Sequence, residues 1–237
     1  MDRGKFFAAV RSDPFGGRLT QVQVEGCEAI LDACDRAGVT DPRHQASILS
    51  QVHHETGGQM EPVKETVFAW SQDRHPSDAE VIRRLDAAFA KGQLPWVKTP
   101  YWRDGWFGRG LIQLTFRDNY DKLGKAIGVD LVSSRDRALE LRTSADIAVV
   151  GMRDGLFTGK RLSDYFTASR DDPAAARAIV NGDTPKIGPE IAKLHKAFLS
   201  AIKSASTDPV AAWRAAAPAS IDAIRAWLQA MPQGAEL

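Results

Sequence analysis

Apolar residues recur at steps of three and four along most of the chain, which is the spacing of one buried helix face. This pattern predicts helices over residues 3–11, 20–38, 42–55, 77–91, 118–128, 143–156, 172–181 and 189–205, with one or two more after residue 208. Only TVFAW, at residues 66–70, alternates enough to suggest a short strand or ribbon. We therefore predict a mainly α fold, with two lobes around a central cleft and at most a small β-ribbon.

Length and composition predict a single domain over residues 1–237. Hydrophobic residues make up 43% of the chain, which is enough for a sizeable core, and neither an internal repeat nor a low-complexity linker interrupts it. We place the core of the domain at about 41–205 and a helical tail at about 206–237.

Charge and targeting signals exclude several classes of function. The net charge is only +1, from 31 basic and 30 acidic residues, which argues against a nucleic-acid partner. The N-terminal residues show no signal peptide, and nowhere do 18 apolar residues run together, so we expect no membrane insertion. Cys27 and Cys34 are about two turns apart on one predicted helix, which indicates reduced core thiols. We expect a soluble monomer made in the cytoplasm.

The candidate chemistry is concentrated in residues 41–65, where two glutamates lie on either side of a Gly-Gly break. Asp and Pro at the start of this stretch are typical of a helix N-terminus, and the glycines allow a sharp exit after Glu55. Helical spacing puts Glu55 at the edge of an apolar face, which would favour a protonated acid. Glu65 follows in an extended or looped segment near Lys64, where a more solvated carboxylate would stay ionised and act as a base.

Two other interpretations of this stretch stay open at the level of sequence. A glutamate at a helix end is most often a solvated surface residue. The HHE triplet at 53–55 also suggests zinc, but a zinc protease motif needs a second histidine four residues after the first, and the residue four after His54 is Gly58. The remaining histidines have no ligand spacing, so we predict no metal site.

Aromatic residues cluster in residues 95–110, PWVKTPYWRDGWFGRG, among Pro and Gly. Rings in such a loop either cover the core beneath it or stack on sugar faces in a cleft, and Trp106 and Phe107 are our candidates for the second role. The apolar run that follows, LIQLT, contains Gln113 and Thr115. Polar side chains inside such a run need partners, which bound water or sugar in a cleft would provide.

Five short motifs, in order, carry a resemblance to a known family: HETGG at 54–58, PVKE at 62–65, FGRGLIQLT at 107–115, DNY at 118–120 and VNG at 180–182. With them the sequence resembles the glycoside hydrolase family 19 chitinases, and more closely their phage and prophage relatives that act as endolysins. FFAAVR and FTGKRLSDYF extend the likeness to that branch. The resemblance implies a lysozyme-like, mostly helical fold, hydrolysis of β-1,4 links to N-acetylated amino sugars with inversion, and no cofactor.

The resemblance also implies roles for individual residues. Glu55 matches the general acid, Glu65 the general base, and Thr115 the residue that holds the attacking water. The remaining predicted site residues would bind substrate, and they are Gln113, Asn119, Asn181, Trp106, Phe107 and His54. The chain departs from the family in having Asp183 in place of the second glycine of Asn-Gly-Gly, and an arginine that often follows has no counterpart in residues 186–196.

The function predicted from these features is that of an endolysin. It would cleave the β-1,4 bonds of peptidoglycan glycan strands as an N-acetylmuramidase, without a separate wall-binding module. We expect it to stay in the host cytoplasm until a separate pore-forming protein releases it. A chitinase acting on chitin oligomers is the second hypothesis, and a non-catalytic wall-binding or virion structural protein is the third.

Overall fold

The computed structural model describes residues 1–206, and within this range the chain is mainly α-helical, as predicted. A two-stranded antiparallel ribbon pairs β1 (Val63–Lys64) with β2 (Arg109–Gly110). The helices are α1 (Arg3–Ser12), α2 (Gln21–Arg36), α3 (Pro42–Glu55), α4 (Asp78–Ala90), α5 (Arg117–Ile127), α6 (Leu141–Asp154) and α7 (Thr184–Ala205). Short 3₁₀ segments lie at Tyr101–Asp104, Arg135–Leu139, Leu162–Asp164 and Ala175–Ile179.

Local sequence signals account for several helix ends. The hydroxyl of Thr20 accepts a hydrogen bond from the Gln23 N–H, and the side-chain oxygen of Gln23 accepts one from the Thr20 N–H. These two bonds form a capping box at the start of α2. The side chain of Asp41 accepts a hydrogen bond from the Arg43 N–H and so caps the start of α3. Pro42 occupies the first turn of this helix. At the other end, α5 and α6 stop at Gly128 and Gly155, both in the left-handed conformation that glycine adopts without strain.

The helices bury their apolar faces in one large cluster and two smaller ones. In the large cluster α3 and α1 pack against α7, and α2 packs against α6. A separate cluster joins α4 to the aromatic loop through Val81, Leu85, Trp102 and Phe107. A third forms around α5, with Leu114, Tyr120, Leu123, Leu131, Ala138 and Ile147. The large cluster and the α4 cluster thus form two lobes, and the C-terminal end of α3 faces α4 across the space between them.

The predicted strand at residues 66–70 is wrong. The Val67 N–H donates to the Lys64 carbonyl at 3.1 Å, which closes a turn. Thr66 lies inside that turn with a φ of +73°, outside the β region. The ribbon forms two residues earlier, at Val63–Lys64, because its partner is the distant segment Arg109–Gly110 and no alternation within TVFAW determines that pairing.

Two predicted helix boundaries near the C-terminus are also wrong. Residues 172–181 contain only the 3₁₀ segment Ala175–Ile179, and α7 begins at Thr184 instead of residue 189. Pro185 fits the first turn of α7, where a missing N–H costs nothing. Pro189 lies inside the helix, which its position near the N-terminus tolerates with the loss of one hydrogen bond.

The remaining predictions concern the C-terminal tail, membrane insertion and the two cysteines. Residues 207–237, where the helical tail was predicted, lie outside the described residues. Within residues 1–206 no helix combines the length and apolar character needed to cross a membrane. Cys27 and Cys34 are buried free thiols of α2, as predicted, and burial raises the pKa of Cys34 to about 12.

Candidate active site

Glu55 is the last residue of α3, and the chain turns sharply after it. Thr56 stabilises the helix end because its hydroxyl donates to the Val52 carbonyl at 2.8 Å and accepts from the Met60 N–H at 3.0 Å. Gly57 and Gly58 follow with φ values of +59° and +80°, which only glycine adopts readily. The predicted Gly-Gly exit therefore exists, and it sends the chain back toward β1.

The carboxylate of Glu55 is held by a buried arginine. Arg177, whose side chain is 2% exposed, donates from Nη1 to Glu55 Oε1 at 2.6 Å and to Gln51 Oε1 at 2.9 Å. Its Nε and Nη2 donate to the two oxygens of Asp183 at 2.7 and 3.2 Å. Burial opposes the charge of Arg177, but the contacts with Asp183 and Glu55 raise the pKa of the guanidinium. Glu55 thus ends a helix whose apolar face is buried, as expected, but its carboxylate also meets a buried cation that the sequence did not predict.

Asp183 makes this arrangement compatible with proton donation. Its bidentate contact with Arg177 pairs the guanidinium charge independently of Glu55, and the hydrogen bond from Arg177 lowers the pKa of Asp183. Arg177 therefore has an anionic partner besides Glu55, and the cluster orients both carboxylates.

Glu65 lies in the turn after β1, and neutral groups hold its carboxylate. Tyr101 donates from its hydroxyl to Oε1 at 2.8 Å, and the Gly108 N–H donates to Oε2 at 2.8 Å. Burial and the nearby Glu65 carboxylate raise the pKa of Tyr101, which keeps its proton and remains a donor. Lys64, the expected neighbour, instead contacts Asp78 at 2.7 Å. Both oxygens of Glu65 are thus oriented by hydrogen bonds.

The segment that holds Glu65 is itself fixed by a second buried arginine. Arg109 has a fully buried side chain and donates to Asp78 at 2.8 Å and to Asp136 at 2.9 Å. It also donates to the Tyr120 hydroxyl at 3.2 Å, and its guanidinium lies 3.9 Å from the centroid of the Phe107 ring. These contacts keep the backbone around Gly108 in place, so that its N–H reaches Glu65.

One cavity brings the two glutamates together. Glu55 and Glu65 line the same space of about 530 Å³, with Gln113 and with α4 residues that include Arg84 and Leu85. Gln113 donates from Nε2 to the Val63 carbonyl at 3.2 Å, and its buried Oε1 has no hydrogen-bond partner within residues 1–206. Two carboxylates in one cleft, together with an unpaired acceptor, suit a polar substrate that passes between the lobes.

Thr115 lines a different cavity of about 550 Å³, together with Trp96, Tyr101 and Phe116. Its hydroxyl is 3.5 Å from the Gln113 carbonyl, which is a weak contact. Tyr101 lines this second cavity and also donates to Glu65, so it connects the base to the space around Thr115. The role of Thr115 as the residue that holds water stays a prediction.

Comparison with known proteins identifies the family. The family model "Chitinase class I" of glycoside hydrolase family 19 matches residues 29–182, which is well over half of the chain. The chain belongs to glycoside hydrolase family 19. This confirms the resemblance of its motifs and its class, a glycoside hydrolase, and the mainly helical structure agrees with it.

Plant chitinases are among its relatives. The chain is 33% identical over 130 residues to "Chitinase 2" of Oryza sativa subsp. japonica, covering 52% of this chain and 35% of that protein. It is 27% identical over 150 residues to "Basic endochitinase" of Vitis vinifera, covering 62% of this chain and 40% of that protein. It is 30% identical over 150 residues to "Chitinase 11" of Oryza sativa, covering 62% and 44%. The matches thus span less than half the length of each relative.

The remaining site residues predicted from the family motifs have different surroundings. Phe107 is fully buried in the α4 cluster, so the prediction that it stacks on substrate is wrong. Trp106 packs on Tyr120 with ring centroids 5.3 Å apart, which favours the core-covering role left open for this loop. Asn119 donates from Nδ2 to the Thr115 carbonyl at 2.8 Å and is not among the residues that line the cavity of Glu55 and Glu65.

His54 and Asn181 lie nearer the acid side. The Nδ1 of His54 is 2.9 Å from Oε1 of Glu190, which lies in α7. This contact links the end of α3 to α7. Asn181 is exposed, between Arg177 and Asp183 in the chain. The substrate contacts of both residues stay predictions.

Sequence reasoning missed Arg177, Tyr101 and Gln51. Arg177 lies in the alanine-rich stretch AAARAI, where a charged residue among apolar ones was a signal that could have been weighed, and Gln51 lies one turn before Glu55 on the same helix face. Tyr101 carried no comparable signal, because only the fold brings the aromatic loop onto Glu65. Within residues 1–206 no group of three or more His, Cys, Asp and Glu side chains is arranged to hold a metal.

Proposed function

We propose that this protein hydrolyses β-1,4 bonds between N-acetylated amino sugars by an inverting mechanism. The observation that carries the proposal is that Glu55 and Glu65 line one cavity, in motifs of a family of glycoside hydrolases. An inverting enzyme needs an acid on the leaving oxygen and a base on the opposite face, about 6.5 to 9.5 Å apart, with a water between them.

In this proposal Glu55 donates the proton and Glu65 accepts one from water. Arg177 orients Glu55 and is also paired with Asp183. The guanidinium therefore keeps one anionic partner when Glu55 carries the proton that it donates. Glu65 is oriented by Tyr101 and Gly108, and neither donor carries a charge. Thr115 would hold the attacking water on the Tyr101 side.

The substrate that we propose is bacterial peptidoglycan, cleaved after N-acetylmuramic acid. The support is the likeness of residues 54–58, 62–65 and 107–115, with FFAAVR and FTGKRLSDYF, to the phage and prophage branch. In that role the protein would act as an endolysin that a separate pore-forming protein releases to the cell wall. It would act as a monomer on glycan strands.

Chitin is the second candidate substrate, and a specific observation favours it. The relatives that match are named chitinases or endochitinases. A chitinase would need the same pair of glutamates, so the geometry around Glu55 and Glu65 supports both substrates equally. The bond cleaved has to be read from the product.

The test is a digest of purified peptidoglycan, with EDTA present, followed by borohydride reduction and mass spectrometry. We expect fragments that end in reduced N-acetylmuramic acid, because only a free reducing sugar takes up hydrogen. A matched incubation with chitin oligomers measures the competing activity. Reduced N-acetylglucosamine ends would indicate a glucosaminidase, 1,6-anhydro ends a lytic transglycosylase, and new amino groups an amidase or peptidase. Any of these as main product, or a strong preference for chitin, would contradict the muramidase proposal.

A further inference from the structure

Two aromatic side chains lie exposed and parallel directly after Glu65. Phe68 is 50% exposed and Trp70 is 76% exposed. Their ring centroids are 4.8 Å apart and their planes differ by 5°, so each ring covers one face of the other and leaves its second face outward. Exposed apolar area of this size on neighbouring residues is typical of a binding surface.

The backbone that carries these rings is fixed by hydrogen bonds. Phe68 donates its N–H to the Ser71 hydroxyl at 2.7 Å and accepts from the Ser71 N–H at 2.8 Å. Arg74 donates to the Phe68 carbonyl at 2.8 Å and to the Glu61 carboxylate at 3.0 Å. The turn that carries the rings is therefore fixed before any ligand binds, which lowers the entropic cost of binding.

The same segment packs against the turn that follows Glu55. A Cβ at Gly57 would lie 2.8 Å from the Cβ of Ala69, so the absence of a side chain at Gly57 lets residue 69 approach. Phe68 lines the cavity that contains Glu55 and Glu65. Phe68 thus borders the cleft, and the more exposed Trp70 ring stacks on it.

We propose that Phe68 and Trp70 form a sugar-binding lip that stacks on a ring of the glycan strand at the mouth of the cleft. This inference rests on the proposed function. The C–H face of a pyranose ring is apolar and flat enough to cover an aromatic face, while its hydroxyls stay at the edge in water. Two rings are too small for a stable protein interface, which needs about 800 Å² from each partner, and they are continuous with the cleft.

The consequence is a dependence on substrate length. A short oligomer that fills only the space around Glu55 and Glu65 would not reach the lip, whereas a longer strand would contact it. Loss of the Trp70 ring should therefore weaken binding of long substrates and leave the chemical step intact, because neither ring contacts the reacting bond.

The experiment compares Trp70→Ala with Trp70→Phe and with Val22→Ala, which removes another exposed apolar side chain, on α2 and outside the lining of the cavity. Each variant is assayed on short and long glycan fragments of purified peptidoglycan, and on short and long N-acetylglucosamine oligomers. For Trp70→Ala we expect KM on the long substrates to rise about 3- to 10-fold, the range that one aromatic stack supplies, with kcat within about twofold. Trp70→Phe should recover most of the affinity, and Val22→Ala should match the wild type.

The outcomes separate the lip from the proposed function. If the wild type releases sugars and Trp70→Ala has an unchanged KM on every substrate, the lip is wrong while the proposed function stands. An equal rise in KM on short and long oligomers, or a fall in kcat alone, would also overturn the lip. If the wild type cleaves no glycan, both proposals fail together.

Discussion

The two glutamates of the cleft are held in contrasting ways. Glu55 belongs to a charged cluster in which one buried guanidinium bridges two carboxylates. Glu65 accepts hydrogen bonds from a phenol and a backbone N–H, and no cation among residues 1–206 forms an ion pair with it. The proposed acid is thus set beside a charge that has a second partner, and the proposed base is oriented by two neutral donors.

The two buried arginines make the same contrast at the level of the fold. Arg177 contacts a proposed catalytic residue directly. Arg109, although equally buried, bonds to Asp78 and Asp136 and only supports the backbone that reaches Glu65. Both arginines organise the groups around them. Their partners differ, because Arg177 contacts Glu55 itself and Arg109 contacts only residues that support the backbone near Glu65.

The largest expected effect comes from Glu55→Gln. Gln keeps an oxygen that accepts from Arg177, so we expect the fold and the thermal midpoint to be retained. Turnover should fall about 10²- to 10⁴-fold, the usual cost of removing an acid catalyst. Glu25→Gln on α2, where the side chain is exposed, is the matched control and should keep wild-type turnover. Activity of Glu55→Gln within about tenfold of the wild type would exclude Glu55 as the general acid.

Arg177→Met tests the charged side of the comparison. Met fills similar space but leaves the carboxylates of Glu55 and Asp183 without their buried partner. We expect the free energy of unfolding to fall by about 3 to 5 kcal/mol, measured by urea denaturation near neutral pH. Arg177→Lys keeps the charge without the planar fork and should lose less. A loss below about 1 kcal/mol for Met would mean that the cluster contributes little to stability.

Tyr101→Phe tests the neutral side with a smaller change. It removes one hydrogen bond to Glu65 and leaves that from Gly108 intact. We expect a loss of about 0.5 to 1.5 kcal/mol of unfolding free energy, and a fall in kcat that exceeds any rise in KM. The ring contact with Phe116, with centroids 4.6 Å apart, is kept by Phe, so packing is matched. A change in KM alone would indicate that Tyr101 binds substrate and does not orient the base.

The smallest effect concerns the pH dependence of Asp183→Asn. Because the hydrogen bond from Arg177 lowers the pKa of Asp183 below 3.8 in the folded state, its contribution to stability is full above that value and is lost as the pH falls through the folded pKa. The wild type should therefore be more stable than the variant at pH 7, and the difference should shrink as the pH falls below 3.8. Urea denaturation across this range measures it. A difference independent of pH would contradict the linkage.

The sequence by itself determined the helical framework and the positions of the two glutamates. The caps of α2 and α3 and the Gly-Gly exit after Glu55 depend on residues within one or two turns of each other, so they could be predicted locally. The motifs at 54–58 and 107–115 likewise indicated the family and the pair Glu55 and Glu65.

Tertiary structure alone decided what surrounds those glutamates. Arg177 reaches Glu55 from far along the chain, and Tyr101 reaches Glu65 from another loop. The same packing buries Phe107 and exposes Trp70, although both rings lie in loops with similar composition. Local spacing could not distinguish them, because which face of a loop meets the core depends on contacts between segments distant in sequence.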